Sequence, residues 1–476
     1  MIVQTHKQIF YKGNSAKSIY LGSTFMWPKE MPYEPTPVYP SSNEMFWIYN
    51  RTYSPQTIEL RKFESESDIH TITVNYSFDK STWYTQRTGF GENCGKIEIP
   101  AFTFVYLKAT TSRWGSSYLQ NYNNIINTSS EAKFEIGGNI MSLLLGDDYA
   151  SVTTFTSNKY NYAFKQIFKG WSSMTDASRL NLAITDLGYS LHVYEYMFLN
   201  CTRLKVAPTL KATKLTASCY CGMFFGCASL ETAPRLTPTN IPESAYEQMF
   251  ANCTSLINAP VISATSVGLR GCGEMFVGCT SLVSTPDLSR ITSLNENCFW
   301  NMFGRCSSLT TVSELPATTL YDRCYYAMFQ NCTSLVTAQA ILPATTLKTQ
   351  CYLEMFRGCT SLLNAPQLPA TKLINRCYVS MFLGCTSLRT APELPAPKLE
   401  EYAYQSMFSG CTNLNYIKCL ATTNDTLTQY YENTNGWVRG VQTNSGTFVV
   451  ATESIWNAMP SGYWAGIPNN WTIQYT

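Results

Sequence analysis

The residues of this chain that could do chemistry are eighteen cysteines, three histidines and one adjacent pair of carboxylates. Cys219, Cys221 and Cys227 lie close together in Cys-Tyr-Cys-Gly-Met-Phe-Phe-Gly-Cys. Zinc sites pair two cysteines a few residues apart and complete the set with a second such pair or with histidines. The spacing here matches no such pair and no histidine lies nearer than His192, so the sequence predicts no metal site. A nucleophile needs a base within reach. His6, His70 and His192 are the only histidines, only His192 borders the cysteine-rich part, and no Gly-x-Ser-x-Gly elbow occurs. Asp147-Asp148 follows Leu144-Leu145-Gly146 and reads as a turn, since two adjacent carboxylates rarely face one scissile bond. Gly137-Gly138-Asn139 lacks the rest of a dinucleotide fingerprint, and there is no phosphate-binding loop. The chain is expected to be no enzyme and to need no cofactor.

Composition excludes further classes. In 476 residues, 34 Lys+Arg balance 32 Asp+Glu to a net charge of +2, with no basic run, so nucleic acid is not an expected partner. Charged residues reach 14%, against roughly 25% in typical soluble domains. No stretch approaches the roughly 18 apolar residues of a membrane helix, and membrane insertion is not expected. The opening Met-Ile-Val-Gln-Thr-His-Lys is broken by polar residues where a signal peptide needs an apolar block. Synthesis in a reducing cytosol then makes thiols the expected state of the cysteines.

Their number is explained by a repeat. Met-Phe-x-Gly/Asn-Cys-Thr-Ser-Leu recurs from Met197 to Leu414, with cysteines at 201, 227, 253, 279, 306, 332, 359, 385 and 411. Successive spacings are 26 or 27 residues, in the leucine-rich-repeat range. A divergent copy lies upstream at Ile167–Trp171, with Trp171 in the cysteine place. Four residues before each Met stand Val193, Cys219, Ala245, Gly271, Cys298, Cys324, Cys351, Cys377 and Ala403, so only small side chains are tolerated there. Both cysteine columns read as packing. Within a unit, Cys351, Met355 and Phe356 have the i, i+4 spacing of one helix face, which predicts a short helix. The Gly/Asn column two residues after the Phe predicts its left-handed cap, with Arg305 the exception and Gly304 as a cap slipped by one. Leu362 and Leu368 bracket an expected extended segment. The two extra residues of the longer periods, one between Leu288 and Met302 and one between Leu335 and Leu342, are expected at bends.

Four parts follow. Residues 1–40 are an N-terminal anchor on a Pro-rich, stiff linker. Residues 41–155 are an all-β, sandwich-like domain, because His70–Phe78 and Phe102–Leu107 alternate in polarity. The repeats, nine regular and one divergent, form a solenoid of short strands and short helices over residues 156–416. Residues 417–476, with Trp437, Trp456, Trp464 and Trp471, form a C-terminal β/aromatic cap. Against the constant scaffold one column varies, directly before the second Leu of each unit: Thr209, Arg235, Val261, Asp287, Glu314, Ile341, Gln367 and Glu393. It is the candidate recognition surface, although drift on a solvated face produces the same variation.

The Met-Phe-x-Gly-Cys-Thr-Ser-Leu block, with Ala-Pro-x-Leu-Pro-Ala-Thr-x-Leu between copies, resembles BspA-type leucine-rich-repeat proteins over residues 160–420. The resemblance implies a bacterial surface adhesin or a protein encoded by phages and prophages of gut bacteria. Gly137–Leu144 and Gly466–Thr472 resemble segments that flank the repeats in the second group. With no signal peptide, the expectation is a virion protein (fibre, tail or capsid-attached). It would contact other virion subunits through its N-terminal region and bind a host-surface glycan or protein through the solenoid. The alternatives are a cell-surface adhesin and a purely structural decoration protein. A homo-oligomer is compatible with all three.

Overall fold

The computed structural model describes residues 20–21, 24–25, 35–62, 73–88, 94–110, 123–127, 129–424, 433–441, 445–457 and 466–476. Most of the N-terminal anchor and Pro-rich stretch, His6, His70 and Trp464 lie outside the described residues. Among the described residues strands predominate. The two α-helices among them, Ser142–Leu145 and Ser454–Asn457, are one turn each; among the described residues no sheet closes into a barrel and no helix is long and apolar enough to cross a membrane. The chain divides into two compact units, Met1–Ser190 with Met197–Lys211, and Leu191–Tyr196 with Ala212–Thr476.

In the first unit, β1 (Tyr20–Leu21) and β2 (Thr24–Phe25) pair antiparallel. The strands that follow are β3 (Trp47–Asn50), β4 (Gln56–Lys62), β5 (Thr73–Ser77), β6 (Tyr84–Arg87), β7 (Gly95–Ile99), β8 (Phe104–Ala109), β9 (Asn123–Ile126), β10 (Phe134–Asn139) and β11 (Met174–Asn181). One sheet has the order β11-β10-β3-β8-β5-β6, parallel only between β10 and β11. The other runs β7-β4-β9, antiparallel throughout. Trp47, Tyr49 and Tyr106 are buried together, with Phe104 and Tyr39 against them. The indole of Trp47 lies so close over Gly137 that a Cβ there would sit 2.2 Å from its ring. That packing accounts for the glycine, which the sequence offered only as part of an incomplete nucleotide loop. Tyr39, at the end of the Pro-rich stretch, is docked on the sheet. Its hydroxyl donates to Glu135 at 2.5 Å, Arg51 pairs with the same carboxylate, and the Arg179 guanidinium lies 3.5 Å from the Tyr39 ring centre. Burial, and then the hydrogen bond to Glu135, hold the Tyr39 hydroxyl far above its usual pKa. The parallel pairing continues through Asp176↔Val206 and Leu182↔Leu210, and Phe168 stacks on Phe198 at 5.4 Å.

The second unit is built of coils one period long, each pairing in parallel with the next. The arc carrying Met-Phe is not a helix, which corrects the reading made from the i, i+4 spacing. In residues 216–227, alternate amides have different partners. Cys219, Cys221, Met223, Phe225 and Cys227 donate three residues back, while Ser218, Tyr220, Gly222, Phe224 and Gly226 donate to the next coil at Glu243, Ala245, Glu247, Met249 and Ala251. Every fourth residue is left-handed, as at Ser218 (φ 54°), Gly222 (φ 56°) and Gly226 (φ 71°), which no right-handed helix allows. The result is a ribbon of consecutive turns with a repeat of four. It turns residues inward in pairs, Cys351 with Tyr352 and Met355 with Phe356, and ends on Cys359. The Gly/Asn column is left-handed as expected. Arg305 is left-handed itself (φ 63°), so the cap has not slipped to Gly304. The ladder to the next coil, repeated at each turn, offsets the roughly 1–2 kcal/mol cost of each non-glycine in that conformation.

The interior is a set of stacked columns. Phe224, Phe250, Phe276, Phe303, Phe329, Phe356, Phe382 and Phe408 stack in sequence at 5.5 to 5.8 Å with their ring planes nearly parallel. All eighteen cysteines are buried thiols, none of them in a disulfide. The main column has a specific role, because from Cys253 to Cys411 each of its thiols donates to the carbonyl of a Phe in a preceding coil: Cys279 to Phe250 at 3.0 Å, Cys332 to Phe303 at 3.1 Å, Cys411 to Phe382 at 3.0 Å. A small apolar side chain with one weak donor is what this position uses. The same inter-coil bonding continues at residues 433–441, where Phe408 and Gly410 donate to Trp437 and Arg439. Strands Tyr416–Cys419, Thr447–Val450 and Thr472–Tyr475 then pair in parallel.

Candidate interaction surface

The arc after Thr-Ser-Leu is extended, and successive coils meet there through single bridges such as Asn258↔Ser284, Asn364↔Thr390 and Ile341↔Gln367. Alternation along an extended chain sends the second Leu inward and the residue before it outward. Leu236, Leu288, Leu315, Leu342, Leu368 and Leu394 are accordingly buried. Each residue of the variable column, Thr209 in the first unit and Arg235, Val261, Asp287, Glu314, Ile341, Gln367 and Glu393 in the second, is exposed. Neighbours in the column sit one coil apart: the Leu236 amide donates to the Val261 carbonyl at 2.9 Å, and Leu342 to Gln367 at 3.0 Å.

The column carries mixed chemistry. The Ser289 side chain and then its amide, 2.9 Å from Asp287 Oδ1, hold the Asp287 carboxyl below its usual range. Glu393 pairs with Lys418 at 2.9 Å. The same column carries the aliphatic Val261, one coil before Asp287, and Ile341, between Asp287 and Glu393, 57% and 43% exposed. The surface therefore offers carboxylates, one guanidinium and apolar spots at coil spacing, with no cluster resembling a catalytic set.

The other residues singled out by their chemistry have local partners. His192 Nδ1 lies 3.0 Å from Glu195. Asp147 pairs with Lys108 at 2.7 Å within the 3-10 turn Gly146–Ser151. Cys219 and Cys227 are fully buried and Cys221 nearly so, and burial pushes the Cys219 thiol up to about 12.

A second outward column escaped the sequence reading. The residue directly after each Thr-Ser-Leu leucine is exposed, and in four coils it is aliphatic: Ile257, Val283, Val336 and Leu363, each 38 to 52% exposed. The signal was present, since an apolar residue adjacent to an invariant inward Leu must point outward on an extended chain. It was hidden because Leu-Leu and Leu-Val look like core.

No family model matches the chain, and no curated protein matches it. Among solved structures the chain is similar to a leucine rich cell surface protein from Faecalibacterium prausnitzii A2-165. The two are 18% identical, the match covers 63% of this chain and 93% of that one, and the TM-score is 0.24.

Proposed function

We propose that the protein is a non-enzymatic binding protein of bacterial surfaces. In this reading it is a leucine-rich-repeat solenoid of the BspA type beside an all-β, sandwich-like domain, and it recognises a glycan or protein through the variable column. The observation that carries it is the contrast between columns: Phe, Met, Cys and Leu repeat in the interior, while the exposed position before the second Leu differs at nearly every coil. Only the ladder and the core constrain the inside, so the outside is free to be specific.

A cell-surface adhesin is preferred to virion attachment. The virion reading drew on the polar opening residues, which lack a signal peptide's apolar block, and on the likeness of Gly137–Leu144 and Gly466–Thr472 to segments that flank such repeats. Gly137–Leu144 is buried throughout, with Gly137 set by the Trp47 ring, so packing alone accounts for it. The test is a glycan array and a bacterial-cell binding assay with the full chain, beside Arg235→Ala and Glu314→Ala variants. Saturable binding weakened by either change supports the reading. Binding indifferent to the column, or none to any cell or glycan, overturns it.

A further inference from the structure

We infer that the aliphatic column of the second unit is a self-association surface, its occupant a second, antiparallel copy of the same column. From coil to coil the position after the Leu reads Glu231, Ile257, Val283, Thr310, Val336, Leu363, Arg389, all exposed. Backbone bonds place neighbours one above the other: Val283 donates to Ile257 at 3.1 Å, Thr310 to Val283 at 3.0 Å, and Leu363 to Val336 at 3.0 Å.

The order is self-complementary about Thr310. A two-fold interface presents the same patch from both copies, so residue i meets j wherever j meets i. With the axis across the stack at Thr310, Ile257 faces Leu363, Val283 faces Val336, and the acidic end Glu231 faces the basic end Arg389. An axis along the stack would instead set Glu231 against Glu231 and Arg389 against Arg389, so charge selects the antiparallel arrangement. The flanking positions suit a close approach, being small and polar: Ser255, Ser281, Ser334 and Ser361 before the Leu, and Asn258, Ser284, Thr337 and Asn364 beyond the column. Four residues on, or five after Val336, the variable column obeys the same symmetry at its ends, where Arg235 faces Glu393. At the axis it does not, because Glu314 meets its own copy and opposes association.

Size sets the strength. Six coil steps of about 4.8 Å give a strip roughly 30 Å long, and four extended residues give it a width of about 13 Å. That is roughly 400 Å² per copy, half of a standard interface. The dimer is therefore weak and reversible.

The test is sedimentation velocity of the full chain from micromolar to millimolar concentration, with circular dichroism confirming that each variant is folded. A reversible monomer–dimer equilibrium weakened by salt is expected. Glu231→Arg alone and Arg389→Glu alone should each weaken it roughly tenfold, since the contact occurs twice per dimer. The double swap Glu231→Arg with Arg389→Glu should restore it to within about threefold, and Glu314→Gln should tighten it. A monomer at millimolar concentration overturns the inference. So does a dimer that ignores the single swaps, or one that the double swap fails to restore.

Discussion

Raising the pH should unfold the second unit near pH 10, well below the point at which its own thiols ionise. Cys219, Cys279, Cys298, Cys359, Cys411 and Cys419 are buried in its columns, and desolvation raises each thiol from 9.0 to about 12. The folded value lies above the unfolded one, so the stabilising contribution is complete below pH 9 and is lost as pH climbs from 9 towards 12. At pH 10 an unfolded thiol is mostly ionised and a buried one hardly at all, a difference on the order of 1 kcal/mol per cysteine. Six such thiols together reach the scale of the whole stability of an ordinary domain, about 5–15 kcal/mol. Buried Tyr352, Tyr378 and Tyr404, their hydroxyls also raised by desolvation, add to the loss above pH 10. The assay is far-ultraviolet circular dichroism alongside thiolate absorbance during a pH titration. Thiolate should appear only as the dichroism collapses, in one cooperative step. Thiolate rising from pH 9 while the dichroism holds would refute the burial of the columns. Both signals flat to pH 12 would refute the linkage.

Two substitutions test single features of the coils. Gly222→Ala should destabilise by about 2 kcal/mol or more in urea unfolding, because the site has φ 56° and a Cβ would lie 2.0 Å from the Tyr196 ring. The loss should shrink when Tyr196→Ala is added, and an unchanged loss would mean that ring contact is not the cause. Gln339→Ala should cost about 1–3 kcal/mol and speed hydrogen exchange at the Leu315 amide, whose acceptor is Gln339 Oε1 at 2.7 Å. Gln339→Glu keeps the acceptor and should keep the protection; equal exchange in both variants would remove the side chain from the ladder.

Gln339 also shows where the sequence stopped being legible. It lies where the second longer period inserts its extra residue, and a bend was expected there. Only the fold reveals that the side chain replaces a broken step of the backbone ladder, because a single residue's partner on another coil leaves no periodic trace. The aliphatic column was readable letter by letter, yet its meaning depends on which neighbours the coils bring into line.

The period, the inward columns, the left-handed Gly/Asn position and the outward variable column are all legible in the amino-acid sequence. Each follows from side-chain volume or from φ, and both are properties of the residue. The sequence did not determine the conformation of the arc from Cys351 to Cys359. An α-helix and a ribbon of four-residue turns both place Cys351, Met355 and Cys359 on one side, so spacing alone cannot separate them. The choice lies with the backbone amides. A helix satisfies them within its own segment, whereas here alternate amides reach the next coil, as Tyr352 does to Cys377 and Phe356 to Met381. That partner exists only once a neighbouring coil is in place, so the tertiary stack decides the local structure.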